Sequence, residues 1–201
     1  MSLGLAGDPE ALWSRQETAL GTGHPYPYWA IAWPAGQGLA RTLLDAPPLV
    51  AGKTVLDLGA GSGIAAIAAA LAGARRVVAC DSDPFALESI ARNARRNAAT
   101  VETTGVDPMR EAGPWDVVLA ADLWYEPFFA RKATAWLLLQ AGLGRRVLLA
   151  DSGRAHAPRR SAPPLAIRTV PASTRLEPAP EVTVTVWQMS AGAAVAGEVA
   201  H

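Results

Sequence analysis

The chain has 201 residues, is half hydrophobic, and sets 18 Lys and Arg against 18 Asp and Glu for a formal net charge of zero. That length predicts one domain with a full core, and the apolar content excludes a disordered chain. The neutral balance leaves no global field to draw the protein to nucleic acid or to an anionic membrane.

Cys80 is the only cysteine, which excludes an intrachain disulfide and fits a reducing compartment. The chain opens without a basic-then-apolar leader, so the expected localisation is cytoplasmic. The Ala-rich run at 64–74 falls well short of the ~20 apolar residues that a membrane span needs.

In chain order, residues 8–20 predict a short amphipathic helix with Asp8 as N-cap and Pro9 at the first helical position. The stretch 21–34, rich in Gly, Pro and aromatics, excludes a long helix or a central strand. A second helix is expected at 35–44, closed by Pro47 and Pro48. Strands at 54–58, 76–80, 101–106, 115–121 and 146–150 then alternate with helices at 62–71, 84–99 and 127–140. Asp83, just before Pro84, starts the middle one of these helices, which stops near Asn97. Such alternation implies parallel strands joined by right-handed crossovers.

After residue 150 the rhythm breaks. Residues 156–164 read as a loop, and 166–170 and 182–188 as strands with no helix between them, which predicts an antiparallel hairpin at a sheet edge. Val182, Val184 and Val186 alternate with Thr183, Thr185 and Trp187, as in a half-buried strand. The tail from Ser190 is expected to fray. The expected architecture is a single α/β domain over 1–201, a doubly wound, mostly parallel seven-strand sheet with an antiparallel C-terminal hairpin. It divides into an N-terminal helical segment (1–45), a cofactor-binding core (53–151) and C-terminal strands (165–189).

The turn after the first strand carries Gly59, Gly61 and Gly63. In such sheets ligands bind beyond the carboxyl ends of the strands, and glycines let the main chain come close to them. A nicotinamide dinucleotide fingerprint has the form G-x-G-x-x-G; here the third glycine comes one residue early, and Ile64 stands where that fingerprint needs glycine. Asp57, just before the turn, would repel a pyrophosphate and welcome a cation. S-adenosyl-L-methionine carries an ammonium and a sulfonium and no phosphate. Asp81, followed by Ser82 at the end of the second strand, is placed to accept two hydrogen bonds from a ribose diol. Asp107, before Pro108, is either an adenine contact or an ordinary turn aspartate. His24, His156 and His201 sit on irregular segments with no ligand spacing, so no metal site is expected.

The runs VLDLGAGSG at 55–63 and VVACDSD at 77–83 resemble class I S-adenosylmethionine-dependent methyltransferases, a likeness that covers 54–151. Asp122, Leu123, Trp124 and Tyr125 match the D-x-x-Y signature of the seven-strand lysine methyltransferases. PYWAIAWPAGQ at 27–37 and ADSGR at 150–154 resemble the electron-transfer-flavoprotein β-subunit lysine methyltransferases and their bacterial relatives, which usually carry proline where this chain has Ser152.

The resemblance implies S-adenosyl-L-methionine as cofactor, with Gln37 near its amino-acid end. It also implies a protein substrate such as electron transfer flavoprotein β subunit or a ribosomal stalk protein, and a monomer acting on neither nucleic acid nor membrane. Methyl transfer to lysine needs a neutral amine, whereas free lysine, with a pKa of about 10.4, is protonated at neutral pH. Asp122 is therefore expected to orient the amine, and Tyr125 to hydrogen-bond it or close the channel. Trp124 and Trp33 either offer aromatic faces to a cation or pack in the core or lid. Glu126 is a weaker candidate acid.

The alternatives are a ribosomal-protein methyltransferase and a nicotinamide-like small-molecule N-methyltransferase. The compact N-terminus gives the latter little material for a lid. An Asn-Pro-Pro-aromatic motif would mark methylation of amides or adenine amines, but the chain has Ala121, Asp122, Leu123 and Trp124. Cytosine-carbon chemistry needs a nucleophilic cysteine, and Cys80 is expected to be buried at a strand end.

Overall fold

Seven strands, β1 (Thr54–Leu58), β2 (Arg76–Cys80), β3 (Glu102–Thr104), β4 (Val117–Ala121), β5 (Arg146–Asp151), β6 (Ala166–Pro171) and β7 (Glu181–Met189), form one sheet in the order β3-β2-β1-β4-β5-β7-β6. This computed structural model describes residues 1–110, 113–160, 163–173, 176–177 and 179–191. The tail expected to fray lies outside the described residues from 192 on. Strands β3 to β5 in that order pair in parallel, and β7 runs antiparallel to both β5 and β6. The expected doubly wound sheet with its C-terminal hairpin is the observed one.

Helices α1 (Pro9–Leu20), α2 (Pro34–Asp45), α3 (Ile64–Leu71), α4 (Pro84–Arg96) and α5 (Pro127–Gly142) complete the fold. Successive strand residues face opposite ways, and both faces are covered. Val55, Val117, Leu119 and Leu148 pack with α2, α3 and α4 on one side. Leu56, Val118, Ala120 and Leu149 pack with α5 on the other. This explains why β1, β2 and β5 read as plain apolar runs. Gly38 lets α2 lie on β7, since a Cβ there would come within 2.6 Å of Val184 Cγ1.

Several expectations shift in detail. α1 forms where expected, with Asp8 capping it by accepting from the Glu10 and Ala11 N–H groups, yet it buries no residue and its amphipathic character is weak. Its sequence PEALWSRQETAL scatters the apolar positions instead of lining them along one face. α3 opens at Ile64 rather than 62 because Gly63, at φ +81°, is left-handed and caps it. β3 shrinks to Glu102–Thr104, and β4 begins at Val117 rather than 115. No described helix is long and apolar enough to cross a membrane.

The chain leaves β1 toward β2 and β3 on one side, and adds β4 and β5 on the other. The gap between the carboxyl ends of β1 and β4 is thus the switch point of the sheet, where open α/β folds bind ligands.

Candidate active site

A cavity of about 700 Å³ opens at that switch point. Its floor is the turn of Gly59 and Gly61. Gly59 has φ +64°, and a Cβ there would sit 2.5 Å from Leu123 Cδ2, so both conformation and space demand glycine.

Asp57, at the base of the turn, is 2% exposed. Its Oδ2 accepts the Ala66 N–H at 2.9 Å. Burial pushes its carboxyl up to about 7, the Ala66 hydrogen bond opposes this, and neighbouring Asp81 adds to it. Asp81 Oδ2 accepts the Gly61 N–H at 2.8 Å and Oδ1 the Asp83 N–H at 3.0 Å, which ties the second strand end to the glycine turn. Burial raises its carboxyl too. Ser82 lines the same wall, and Asp83 caps α4 through the Phe85 N–H, as expected.

Asp107 is the turn aspartate that was one of its two expected readings. It closes a turn by accepting the Met109 N–H, and it also lines the cavity. Lys132 Nζ at 2.8 Å holds its carboxyl below the usual range. Cys80 is buried with its Sγ on the Val106 carbonyl, and burial pushes its thiol up to about 12, which suits structure rather than nucleophilic attack.

Asp122 follows β4 with a left-handed φ of +55° and is 8% exposed. Its Oδ2 accepts the Ala35 N–H at the start of α2 at 2.9 Å, and its Oδ1 faces Arg154 Nε at 2.9 Å. Ser152 Oγ lies 3.4 Å from the same oxygen. Tyr125 lines the cavity and stacks on Tyr28, with centroids 5.6 Å apart. Trp33 also lines it. Its Nε1 donates to the Tyr28 carbonyl, and its face carries the Arg154 guanidinium at 5.6 Å.

Four candidates do not line the cavity; one is Gly63, which caps α3. Trp124 is fully buried on the α5 side, with Nε1 on Thr134 Oγ1 and its ring 6.2 Å from Trp187. Its aromatic face is therefore core and meets no cation. Gln37 Nε2 donates to the Ala32 and Pro171 carbonyls, so its amide ties α2 to β6 instead of facing a ligand. Glu126 is the N-cap of α5, accepting from the Phe128 and Phe129 N–H groups.

The expectation that the N-terminus offers little lid material is also corrected. Tyr26, Tyr28, Trp29 and Trp33 all line the cavity. Trp29 stacks on Phe85 at 6.3 Å, and Tyr26 meets Trp13 and Tyr28 edge on or tilted. The irregular aromatic stretch thus folds back as a roof. Sequence reasoning missed Tyr26, Trp29 and Arg154; the density of rings at 26–33 was the available signal for the first two.

The residues present fit a positively charged nucleoside. The floor offers bare main chain, the buried carboxyl of Asp57 and the half-buried one of Asp81. The cavity's cations, Lys132 and Arg154, are already paired with acids. The Tyr26 hydroxyl and Trp29 Nε1 are buried at the roof with no partner among the described residues, two donors available to a ligand.

The same fold occurs in solved methyltransferases. Magnesium protoporphyrin IX methyltransferase from Synechocystis PCC 6803, with S-adenosylmethionine bound, superposes with a TM-score of 0.55 at 19% identity over 92% of this chain and 99% of that one. An RNA methyltransferase from Salinibacter ruber, in complex with S-adenosyl-L-homocysteine, gives 0.52 at 24% identity over 77% and 91%. The fold is thus that of the S-adenosylmethionine-dependent methyltransferases. The family profile of ribosomal protein L11 methyltransferase (PrmA) matches residues 39–123. The electron transfer flavoprotein beta subunit lysine methyltransferase of Xenopus laevis is 41% identical over 172 residues, covering 81% of this chain and 70% of the relative. Its human counterpart is 39% identical over 171 residues, covering 82% and 65%. The chain belongs to the electron transfer flavoprotein beta subunit lysine methyltransferase family.

Proposed function

We propose that the protein methylates lysine side chains of a protein, foremost the β subunit of electron transfer flavoprotein, as a cytoplasmic monomer. The observation that carries this is Asp122, a buried carboxylate fixed at the rim of an acid-floored cavity beside Tyr125. When bound, S-adenosyl-L-methionine supplies an electrophilic methyl on a sulfonium. The chain's own residues do the rest. Asp81 accepts from the ribose diol, with Ser82 beside it. Asp57 lies on the cationic side, and the main chain of Gly59 and Gly61 lets the donor sit close. Asp107 faces the adenine amino group. Gly63, at the start of α3, fixes the turn. Asp122 orients the lysine amine and relays its proton, and Tyr125 and Trp33 wall the approach. Alignment of this kind supplies up to about 7–11 kcal/mol in ideal cases.

The aromatic roof lends some support to a second reading, a small-molecule N-methyltransferase, because it provides water-excluding cover. Tritiated-methyl transfer to purified electron transfer flavoprotein and to a cell lysate, resolved on a gel, separates the two. A labelled β-subunit band is expected; label confined to the small-molecule fraction overturns the protein-lysine assignment.

Asp57 gives a pH prediction. Its folded pKa of about 7 lies above the unfolded ~3.9. Its contribution to stability is thus fully present below the unfolded value and is lost as pH rises through the folded one. A cationic ligand favours the ionised form. Cofactor affinity should therefore rise from about pH 6 to about pH 8, with proton release on binding at the lower pH. Calorimetry in buffers of different ionisation enthalpy reads this directly, and Asp57→Asn should flatten it. Binding without proton release would rule out Asp57 as a neighbour of the positive charge.

A further inference from the structure

Arg154 follows β5 in a turn that Asp151 closes by accepting the Gly153 and Arg154 N–H groups. Its guanidinium engages three groups at once. Nε donates to Asp122 Oδ1 at 2.9 Å, one terminal nitrogen donates to Glu177 Oε1 at 2.6 Å, and the group lies over the Trp33 ring. Both carboxylate side chains are 8% exposed and the arginine 24%, so this is a buried triad and not a solvated surface pair. The two acids arrive from different parts of the chain, Asp122 after β4 and Glu177 from the β6–β7 connection. The rigid fork of arginine suits such a bridge, since it can hold two carboxylates in fixed directions.

We propose that Arg154 is a positioning residue for the methyl-accepting amine: it locks Asp122 in place and offsets its charge, so that the carboxylate receives a hydrogen bond from a neutral amine instead of holding an ammonium. The inference rests on the reading that Asp122 meets the amine. A bare carboxylate within a few ångströms stabilises the charged form of an amine and raises its pKa. An ammonium has no lone pair to donate to the methyl carbon. A guanidinium on Oδ1 weakens that stabilisation and leaves Oδ2, which already accepts the Ala35 N–H, one further lone pair for the amine. Glu177 anchors the far side of the fork and keeps it from swinging away. The other ionisable groups facing this corner are Asp151 at the end of β5, Tyr28 and Tyr125 over the mouth, and Asp57 and Asp81 across the floor. All of these are unchanged in the variants below.

The test is the pH profile of kcat/KM for methyl transfer to purified electron transfer flavoprotein, beside cofactor affinity by calorimetry. Arg154→Met should bind cofactor normally and move the rising limb up by about one pH unit or more. Arg154→Lys, which keeps the charge but loses the fork, should hold the limb near its native position with reduced kcat. Glu177→Gln, which removes a buried negative charge, should move the limb the other way. A native limb in Arg154→Met overturns the proposal. If that variant fails to fold, an unmoved limb in Glu177→Gln together with native kcat in Arg154→Lys does so instead. An active Asp122→Asn would overturn the amine-binding reading itself. An inactive Asp122→Asn with a native limb in Arg154→Met would overturn only the role of Arg154.

Discussion

Asp122→Ala is expected to lose on the order of 10²–10⁴ in kcat, the usual range for removing a positioned acid or base. Cofactor affinity should stay near native, because Asp81, Asp57 and the glycine turn are untouched. The substitution also frees the Ala35 N–H at the start of α2 and leaves the Arg154 guanidinium half-compensated. Breaking a buried ion pair by removing one partner costs about 3–5 kcal/mol, so a fall in melting temperature should accompany the loss of turnover. Asp122→Asn separates the two effects. Its amide oxygen still accepts from Ala35, so it should fold better than the alanine variant while remaining a poor catalyst. Radiometric transfer, calorimetric titration and a thermal melt on the same preparations check all three points. A fully active alanine variant would remove Asp122 from the chemistry.

Asp81→Ala should show the reverse pattern, a loss of cofactor affinity of about tenfold to several hundredfold. Hydrogen bonds to a charged group contribute about 1.5–3 kcal/mol each, and each 1.4 kcal/mol is tenfold in affinity. Part of the loss will come through the turn, since Gly61 N–H and Asp83 N–H both donate to this carboxylate. Asp81→Asn keeps one acceptor for them and should recover part of the affinity. Calorimetry reads the dissociation constant, and an unchanged value for Asp81→Ala would exclude a ribose contact.

Much of the scaffold was legible because its strands are buried on both faces. β1, β2 and the start of β5 stand out as short apolar runs ended by turn residues, and Asp83 before Pro84 marks a helix start whose cap geometry the structure shows. Less was legible where the signal depends on parity or on distant contacts. Trp124 and Tyr125 are neighbours in a motif, but Trp124 faces α5 and Trp187 while Tyr125 faces the cavity. The turn after β4 decides which, and its left-handed Asp122 is not visible in composition. The roof at 26–33 has no period because it has no regular backbone, so its rings could be counted but not placed. The Arg154 bridge joins residues 32 and 23 positions apart across three connections, which no local pattern encodes.

The place of β7 has a consequence for how the molecule is made. The strand is late in the chain, yet it runs between β5 and β6 and opposite to both. Until residues 181–189 leave the ribosome, β5 keeps one unpaired rim, and β6 has no strand to join. Both are invitations to pairing with other chains. Completion of the sheet therefore waits on the last of its strands and is closed from the interior, and protection by chaperones matters most in the interval just before that strand emerges.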